Sequence, residues 1–254
     1  MLFLLLLLGL AYLFLPIGTQ RAVLLGSDAR ADEPARSDTI MVAATGWDNG
    51  MLSVPRDTLL PIPGAGDDKV NAALATGGPE LAVETLEGFT GYSIGNYVVI
   101  DFNGVQEIVD AMGGITLTVD EPVELGTEDG QYYSIAPGTQ TLDGGEALAY
   151  VRYRGGADAD IGRVGRQQQF MQTLASQAFS PGNLHRLPQT SRAILANVET
   201  NMNPVEAARF AIQLRISGGG TTETYPGSPQ YIDGISYWVP DTTAGQQVVE
   251  ETLD

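Results

Sequence analysis

The chain has 254 residues, 43% of them hydrophobic, and a formal net charge of −18 at pH 7. This length supports one large core, which we favour, although two domains are also compatible with it. The acidity argues against binding a nucleic-acid backbone, because proteins that do so usually present a basic surface. The absence of cysteine excludes disulfides, thiolate zinc sites and cysteine nucleophiles. The single histidine, His185, argues against a histidine-rich metal site or a histidine-dependent triad.

The chain begins with an apolar run, MLFLLLLLGLAYLFLPI, that contains no charged side chain. Its length is near the lower limit for a membrane-spanning helix and exceeds the apolar core of most signal peptides. No pair of small residues suited to signal cleavage follows before Pro16 and Arg21. We therefore predict a transmembrane anchor over residues 1–17, in preference to a cleaved signal.

Three short apolar runs follow, and each predicts a buried strand with a charged residue at one end. They cover residues 22–25, 39–43 and 51–54, and the sequence DNG before the third predicts a hairpin turn. If the first two strands are antiparallel neighbours, the end of one and the start of the next lie at the same edge of the sheet. That arrangement would bring Asp28 and Asp38 together. Taken singly, each aspartate is also compatible with a role as a turn or cap residue.

The rest of the chain alternates strands and helices, which is typical of an α/β fold. Helices are predicted at residues 69–75, 79–87, 103–112, 145–153, 162–179, 204–216 and 244–253. Strands are predicted at residues 97–102, 115–119, 222–225 and 231–239, with a loop or small hairpin over 124–143. We expect a three-layer α/β/α sandwich with a central mixed β-sheet.

Positive charge is concentrated in two stretches of this acidic chain. Eight of the 13 cationic residues lie there: Arg30, Arg36, Arg56 and Lys69 in the first stretch, and Arg152, Arg154, Arg163 and Arg166 in the second. Arginine binds phosphate or carboxylate through a bidentate fork. A helix that begins near residue 160 would place Arg163, Arg166 and Gln167 on one face, beside the free N–H groups of its first turn. The pattern predicts that these side chains bind one anionic ligand, such as a phosphate.

Seven segments, taken in chain order, resemble the LytR-CpsA-Psr family of cell-envelope phosphotransferases: LLGSDAR, RSDTIMV, SVPRDT, KVNAA, DFNGVQEIVDAMGGI, LDGGEALAYVRYR and DIGRVGRQQQF. The resemblance covers residues 22–180, with the motifs in the family's order. It implies a membrane-anchored enzyme whose domain, residues 22–254, lies on the extracytoplasmic side. Such an enzyme transfers a glycopolymer phosphate from a polyprenyl-pyrophosphate carrier to a cell-wall acceptor such as peptidoglycan.

The same resemblance assigns roles to individual residues. Asp28 and Asp38 match the family's ligands for Mg²⁺, with Mn²⁺ as an alternative ion, and the expected catalytic residues are Asp28, Asp38, Arg56 and Arg163. The expected pyrophosphate contacts are Arg30, Arg56, Lys69, Asn71, Arg152, Arg154, Arg163, Arg166 and Gln167. Phosphoryl transfer depends on charge neutralisation and alignment, and a hard cation on carboxylates with a group of guanidinium ions supplies both.

Other functions remain open from the sequence. A non-catalytic module that binds the polyprenyl pyrophosphate would need the same arginines, and a hydrolase of the same lipid would release the glycan phosphate to water. A transcriptional attenuator fits poorly with a membrane anchor and a charge of −18. The glycine pairs at 113–114 and 144–145 do not form a nucleotide-binding motif, and we interpret them as helix ends. Residues 181–254 carry no motif that we can match to a function.

Overall fold

A computed structural model describes residues 12–27, 36–46, 50–127, 130–153, 155, 159–178, 180–216 and 220–254. The chain divides into two compact units. We call Met1–Val99 together with Glu199–Asp254 the sheet unit, and Ile100–Val198 the helical unit. The single domain expected over residues 22–254 stays a prediction.

The regular elements of the described residues are numbered here in chain order. The strands are β1 (Gln20–Ser27), β2 (Ser37–Thr45), β3 (Gly50–Ser53), β4 (Leu59–Ile62), β5 (Gly66–Lys69), β6 (Asn96–Asp101), β7 (Ile115–Val119), β8 (Val123–Gly126), β9 (Tyr132–Ile135), β10 (Gly138–Leu142), β11 (Val198–Thr200), β12 (Thr221–Thr224), β13 (Gly227–Ile232) and β14 (Ile235–Pro240). The α-helices are α1 (Ala72–Thr90), α2 (Phe102–Met112), α3 (Gly144–Arg152), α4 (Ala159–Ala178), α5 (Leu187–Asn197), α6 (Pro204–Ile216) and α7 (Thr242–Leu253). A 3₁₀ helix covers Pro181–Arg186.

The sheet unit is built on a six-stranded sheet in the order β11-β6-β1-β2-β3-β12. Strands β1, β2 and β3 are antiparallel neighbours, and β12 runs parallel to β3, so the sheet is mixed. Val23 lies opposite Val42, and Ser27 lies opposite Ser37 after a shift of register. The antiparallel pairing of β1 with β2, on which the expected approach of Asp28 to Asp38 depends, is therefore present, and the end of β1 and the start of β2 lie at the same edge. Asp28 itself lies outside the described residues.

Helices cover the sheet because its apolar side chains need partners on both faces. Val23 and Val42 belong to a core that also contains Leu86 of α1 and Val249 and Leu253 of α7. Helix α6 packs against β2 as well. Burial of these side chains away from water is the main stabilising contribution. The arrangement confirms the predicted α/β fold class, with a central mixed sheet and helices around it.

The segment between β3 and β6 differs from the prediction in one respect. The helix expected at residues 69–75 begins three residues later, because Gly66–Lys69 pairs with Leu59–Ile62 as an antiparallel hairpin. The two predicted helices are one element, α1, with a kink at Gly77 and Gly78. Gly78 has a φ of 76°, a backbone conformation that glycine adopts without strain.

The helical unit packs α2, α3 and α4 around the pair β7–β10. Its core contains Val109, Ile115, Leu142, Ala147 and Phe170. The region predicted as a loop or small hairpin over 124–143 contains the hairpin β8–β9 and also strand β10. Helix α5 and the preceding 3₁₀ helix were not predicted from the sequence.

The predicted anchor is only partly within the described residues. Among those residues, no helix is both long and apolar enough to cross a membrane, and residues 1–11 lie outside the description. The segment 12–17 is held by α6: the Gln213 side chain donates to the carbonyl of Leu15 at 2.9 Å, and the Arg209 guanidinium donates to the carbonyl of Ile17. The same guanidinium lies 4.7 Å from the ring centre of Tyr12.

We expect Arg209→Met to release the segment 12–17 from α6. The change removes a charge-assisted hydrogen bond from a buried position, so the free energy of unfolding should fall by about 1.5–3 kcal/mol. Urea unfolding of the full chain in detergent micelles measures this loss. Arg192→Met, at an exposed position of α5, is the matched control. Equal free energies of unfolding for the two variants would contradict the contact.

Candidate functional site

One group of charged side chains lies in the sheet unit, between the start of β2 and the end of β5. Arg56 donates a hydrogen bond to Asp38, and its Nε lies 3.5 Å from Oδ2 of Asp57. Lys69 Nζ donates to Oδ1 of Asp57 at 2.7 Å. Negative and positive charges alternate through these four residues. We call Asp38, Arg56, Asp57 and Lys69 the Arg56 cluster.

The backbone around the cluster is held from two sides. On one side, the N–H of Val70 donates to the carbonyl of Thr58 at 2.8 Å, and the N–H of Asn71 donates to the carbonyl of Arg56 at 3.2 Å. On the other side, the N–H of Trp238 in β14 donates to the carbonyl of Asp57 at 2.9 Å. These bonds fix the backbone, and therefore the directions in which the side chains of Arg56 and Asp57 point.

The Arg56 cluster is accessible to a ligand from solvent. The side chains of Asp38, Arg56 and Lys69 are 22–26% exposed, which leaves donor groups of both cations within reach of an anion. Lys69 Nζ also lies 5.6 Å from the ring centre of Tyr237 in β14. Carboxylates therefore orient both cations before any ligand arrives, as pre-organised binding of an anion requires.

The metal-ligand prediction can be compared with the structure at Asp38 alone. Among the described residues, no group of three or more acidic or histidine side chains is arranged to hold a metal ion, and Asp28 lies outside them. One carboxylate oxygen of Asp38 accepts from Arg56, and the side chain is 22% exposed. A partly exposed carboxylate oxygen is the ligand type that Mg²⁺ prefers. The donor chemistry at Asp38 fits the ion, and the pairing with Asp28 stays a prediction.

A second group of polar side chains lies in the helical unit, where α3 ends and α4 begins. The guanidinium of Arg152 lies 4.7 Å from the ring centre of Phe102. Arg166 Nη2 donates to the carbonyl of Tyr153 at 2.6 Å, and its guanidinium lies 5.3 Å from the centre of the Tyr153 ring. Gln167 is buried. Helix α4 begins at Ala159, close to the start predicted from the sequence.

Tyr150 lies in the last turn of α3 and donates a hydrogen bond to Oε1 of Gln169 in α4. Burial raises the pKa of Tyr150 to about 12, the charge of Asp120 raises this pKa further, and Arg166 opposes both effects. The hydroxyl is therefore protonated at neutral pH and remains a hydrogen-bond donor. The sequence analysis singled out neither Tyr150 nor Gln169, because the contact joins residues 19 positions apart.

The structure places some of the site residues predicted from the sequence, and others lie outside the described residues. The structure brings Asp38, Arg56, Lys69 and Asn71 together in the sheet unit, and it places Arg152, Arg166 and Gln167 near the ends of α3 and α4. Arg163 lies on α4, but its side chain is outside the description, as are Asp28, Arg30 and Arg154. Asp57 was missed as a partner of Lys69, although it adjoins Arg56 in the sequence. The catalytic and binding roles stay predictions.

Comparison with known proteins adds three findings. A family model described as the LytR_cpsA_psr family matches residues 17–253. The probable cell wall biosynthesis protein LcpB of Corynebacterium glutamicum is 41% identical over 201 residues, which are 75% of this chain and 47% of LcpB. The polyisoprenyl-teichoic acid–peptidoglycan teichoic acid transferase TagU of Bacillus cereus is 38% identical over 235 residues, 86% of this chain and 73% of TagU.

A solved structure is similar over most of both chains. The crystal structure of B. subtilis TagV has a TM-score of 0.78 at 29% identity, and the alignment covers 91% of this chain and 94% of TagV. The coverage of LcpB is smaller, because this chain spans about half of its length. The sequence and the fold therefore point to the same group of proteins.

Proposed function

The chain belongs to the LytR-CpsA-Psr family, as the match over residues 17–253 shows, and from that premise we propose that it is a cell-envelope phosphotransferase. Its substrate is a glycopolymer carried on a polyprenyl pyrophosphate. The acceptor is a cell-wall polymer such as peptidoglycan, and the product is a glycopolymer joined to the wall through a phosphodiester. The name of TagU, which describes a transfer of this kind, supports the proposal.

The observation that carries the proposal is the Arg56 cluster. A pyrophosphate ester is an anion, and its transfer needs donors that are already oriented toward the place where charge develops. Arg56 and Lys69 are held by Asp38 and Asp57 and remain partly exposed. Both cations can therefore bind phosphate oxygens without first giving up the order that the carboxylates impose.

The arginines of the second stretch are proposed to bind the same class of anion. Arg152 and Arg166 are each stacked on an aromatic ring, which limits the freedom of the guanidinium. Planar donor groups of this kind suit bidentate contacts to phosphate. We assign Gln167 the same role. Arg30, Arg154 and Arg163 complete the proposed set on the strength of the resemblance.

In the proposed reaction, Arg56 and Lys69 bind and align the pyrophosphate. The acceptor's hydroxyl oxygen forms the new bond to the glycan-bearing phosphorus and releases its proton to water. The bond from that phosphorus to the bridging oxygen breaks, and polyprenyl phosphate leaves. We propose that Asp28 and Asp38 hold Mg²⁺, with Mn²⁺ as a substitute. When bound, the ion would neutralise charge on phosphate oxygens. The contribution of the protein is then mainly alignment and charge stabilisation.

We propose that residues 1–17 anchor the chain in the membrane, with the catalytic part on the extracytoplasmic side. The absence of charge from this apolar run supports the anchor. The contacts of Arg209 and Gln213 with residues 15 and 17 support a firm connection between the run and α6. A carrier lipid and its enzyme would then share one membrane.

The test is an assay of the full chain in detergent micelles with a defined lipid-pyrophosphoryl sugar, Mg²⁺ and a peptidoglycan fragment. We expect mass spectrometry to detect an adduct of sugar, phosphate and acceptor, and Arg56→Ala to abolish most of its formation. A free sugar phosphate in place of the adduct would identify a hydrolase. Binding of the lipid without either product would identify a binding module. Either outcome would refute the transferase proposal.

A further inference from the structure

We propose that Tyr150 and Gln169 are a positioning pair, which fixes the register of α4 against α3 and thereby sets where Arg166 presents its guanidinium to an anion. The inference rests on the proposed function only for the identity of the anion. Its structural part depends on contacts within the helical unit.

Two hydrogen bonds join the end of α3 to the first half of α4. Tyr150 donates to Gln169. The carbonyl of Tyr153, the residue that caps the end of α3, accepts from Arg166 at 2.6 Å. The later of the two residues thus contacts the earlier position on α4, as expected where two helices run antiparallel. Each hydrogen bond therefore limits sliding and rotation of the two helices at the position of the other.

The hydrogen bond from Tyr150 to Gln169 is suited to holding α3 and α4 in one position. Tyr150 is 1% exposed, so water cannot readily replace Gln169 as the partner of its hydroxyl. A buried hydroxyl that loses its partner is unfavourable, because it keeps the cost of desolvation without the hydrogen bond. Gln169 is fixed at its other end as well, since its Nε2 donates to the carbonyl of Thr118 in β7 at 3.0 Å. The amide thus links α3, α4 and β7.

The register of α4 against α3 sets the position of the Arg166 guanidinium. Its guanidinium lies beside the Tyr153 ring, and its Nε is buried with no hydrogen-bond partner among the described residues. A buried donor on a cation needs an acceptor, and an anion oxygen would supply one. Gly162 leaves room for the guanidinium, since a Cβ there would lie 3.2 Å from Nη1 of Arg166. A shift of α4 along α3 would move this donor away from its position.

The experiment measures the affinity of the full chain in detergent micelles for inorganic pyrophosphate by titration calorimetry. Tyr150→Phe keeps the ring that fills the core and removes only the hydroxyl. We expect the Kd to rise about three- to tenfold, within the range found for coupled neighbouring residues. In an Arg166→Ala background, the same change should produce no further loss. Gln169→Met should reproduce the effect, and the double variant with Tyr150→Phe should add little.

Tyr97→Phe is the matched control. Its ring is also buried, and its hydroxyl donates to Glu80 at 3.1 Å in the sheet unit. Removing that hydroxyl should leave the Kd unchanged. If Tyr150→Phe and Tyr97→Phe both bind pyrophosphate as the wild type does, while Arg166→Ala binds more weakly, the positioning role is refuted and the proposed function stands.

A second measurement separates the inference from the proposed function. Phenylglyoxal modifies accessible guanidinium groups, and mass spectrometry can follow the modification of Arg166 without any ligand. We expect Tyr150→Phe to speed this modification at least about threefold, because a loosened α4 exposes the guanidinium more often. A wild-type chain that fails to bind pyrophosphate would count against the proposed function. An unchanged rate of modification would refute the positioning pair.

Discussion

Asp38→Asn is expected to lower turnover by about a hundredfold or more, the scale on which loss of one charge-stabilising group lowers kcat. The change removes the carboxylate that accepts from Arg56 and that we propose as a ligand of Mg²⁺. The side chain is partly exposed and belongs to no apolar core, so the variant should remain folded. The measurement is kcat for the lipid-pyrophosphoryl sugar across a series of Mg²⁺ concentrations.

The dependence of turnover on metal tests the prediction for Asp38→Asn most directly. EDTA should inactivate the wild type, and Mg²⁺ or Mn²⁺ should restore it. In metal-free buffer, Asp38→Asn should bind inorganic pyrophosphate at least as tightly as the wild type, because one negative charge beside the anion has been removed. Wild-type turnover that survives chelation, or normal turnover by Asp38→Asn, would return Asp38 to a purely structural role.

Asp57→Asn is the comparison that separates metal binding from orientation of the cations. Asp57 is also a partly exposed aspartate, and it contacts both Arg56 and Lys69. Its loss should free both cations and lower kcat through poorer alignment, while pyrophosphate binding in metal-free buffer should not weaken, because here too one negative charge is removed. The Mg²⁺ concentration needed for half of the maximal rate should stay the same. A shift in that concentration for Asp57→Asn would assign Asp57 to the metal site.

The parts of the fold that follow from the sequence are those with a local cause. Strands β1 and β2 each contain a continuous apolar run, and helix α6 was predicted with both of its ends correct. Gly113 follows α2 in the left-handed conformation that ends a helix, with a φ of 82°. Composition and periodicity determine these features over a few residues. The resemblance then gave the order in which the elements are assembled.

The elements that were missed depend on contacts made far along the chain. Helix α5 contains a proline near its start, and Thr190 is its one fully buried residue. It is held in place by contacts such as the bond from Gln189 to the carbonyl of Ala111 at 2.6 Å. Strand β5 has charged residues and no apolar run, and it forms because β4 pairs with it. Tertiary contact overrides local preference in both cases.

The candidate site also combines features that are visible locally in the sequence with features that depend on long-range contacts. The concentration of arginine identified which residues to examine, because charge is visible in the sequence. Their partners were not visible, since the bond from Lys69 to Asp57 spans 12 residues and the bond from Tyr150 to Gln169 spans 19. Neither spacing has a local periodicity that would place the two side chains together. The positions of the donors could therefore be predicted, and their orientation could not.

Gly50→Ala is expected to cause a loss of stability of about 3 kcal/mol, the upper part of the range for overpacking a closed site. A Cβ at Gly50 would lie 2.0 Å from the carbonyl oxygen of Thr252 and 2.8 Å from its Cγ2. A backbone atom cannot move aside as the end of a flexible side chain can. The end of α7 would have to leave β3, and Val249 and Leu253 would leave the core with it.

Gly88→Ala adds the same methyl group where it should be favourable. Gly88 lies in α1, and a Cβ there would meet no atom within 4 Å apart from the backbone of its own helix. Alanine restricts the unfolded chain and is a better helix former, so the free energy of unfolding should rise by about 0.4–1 kcal/mol. Urea unfolding of both variants in the same buffer gives the comparison. If Gly50→Ala unfolds at the same urea concentration as Gly88→Ala, α7 does not pack closely against β3.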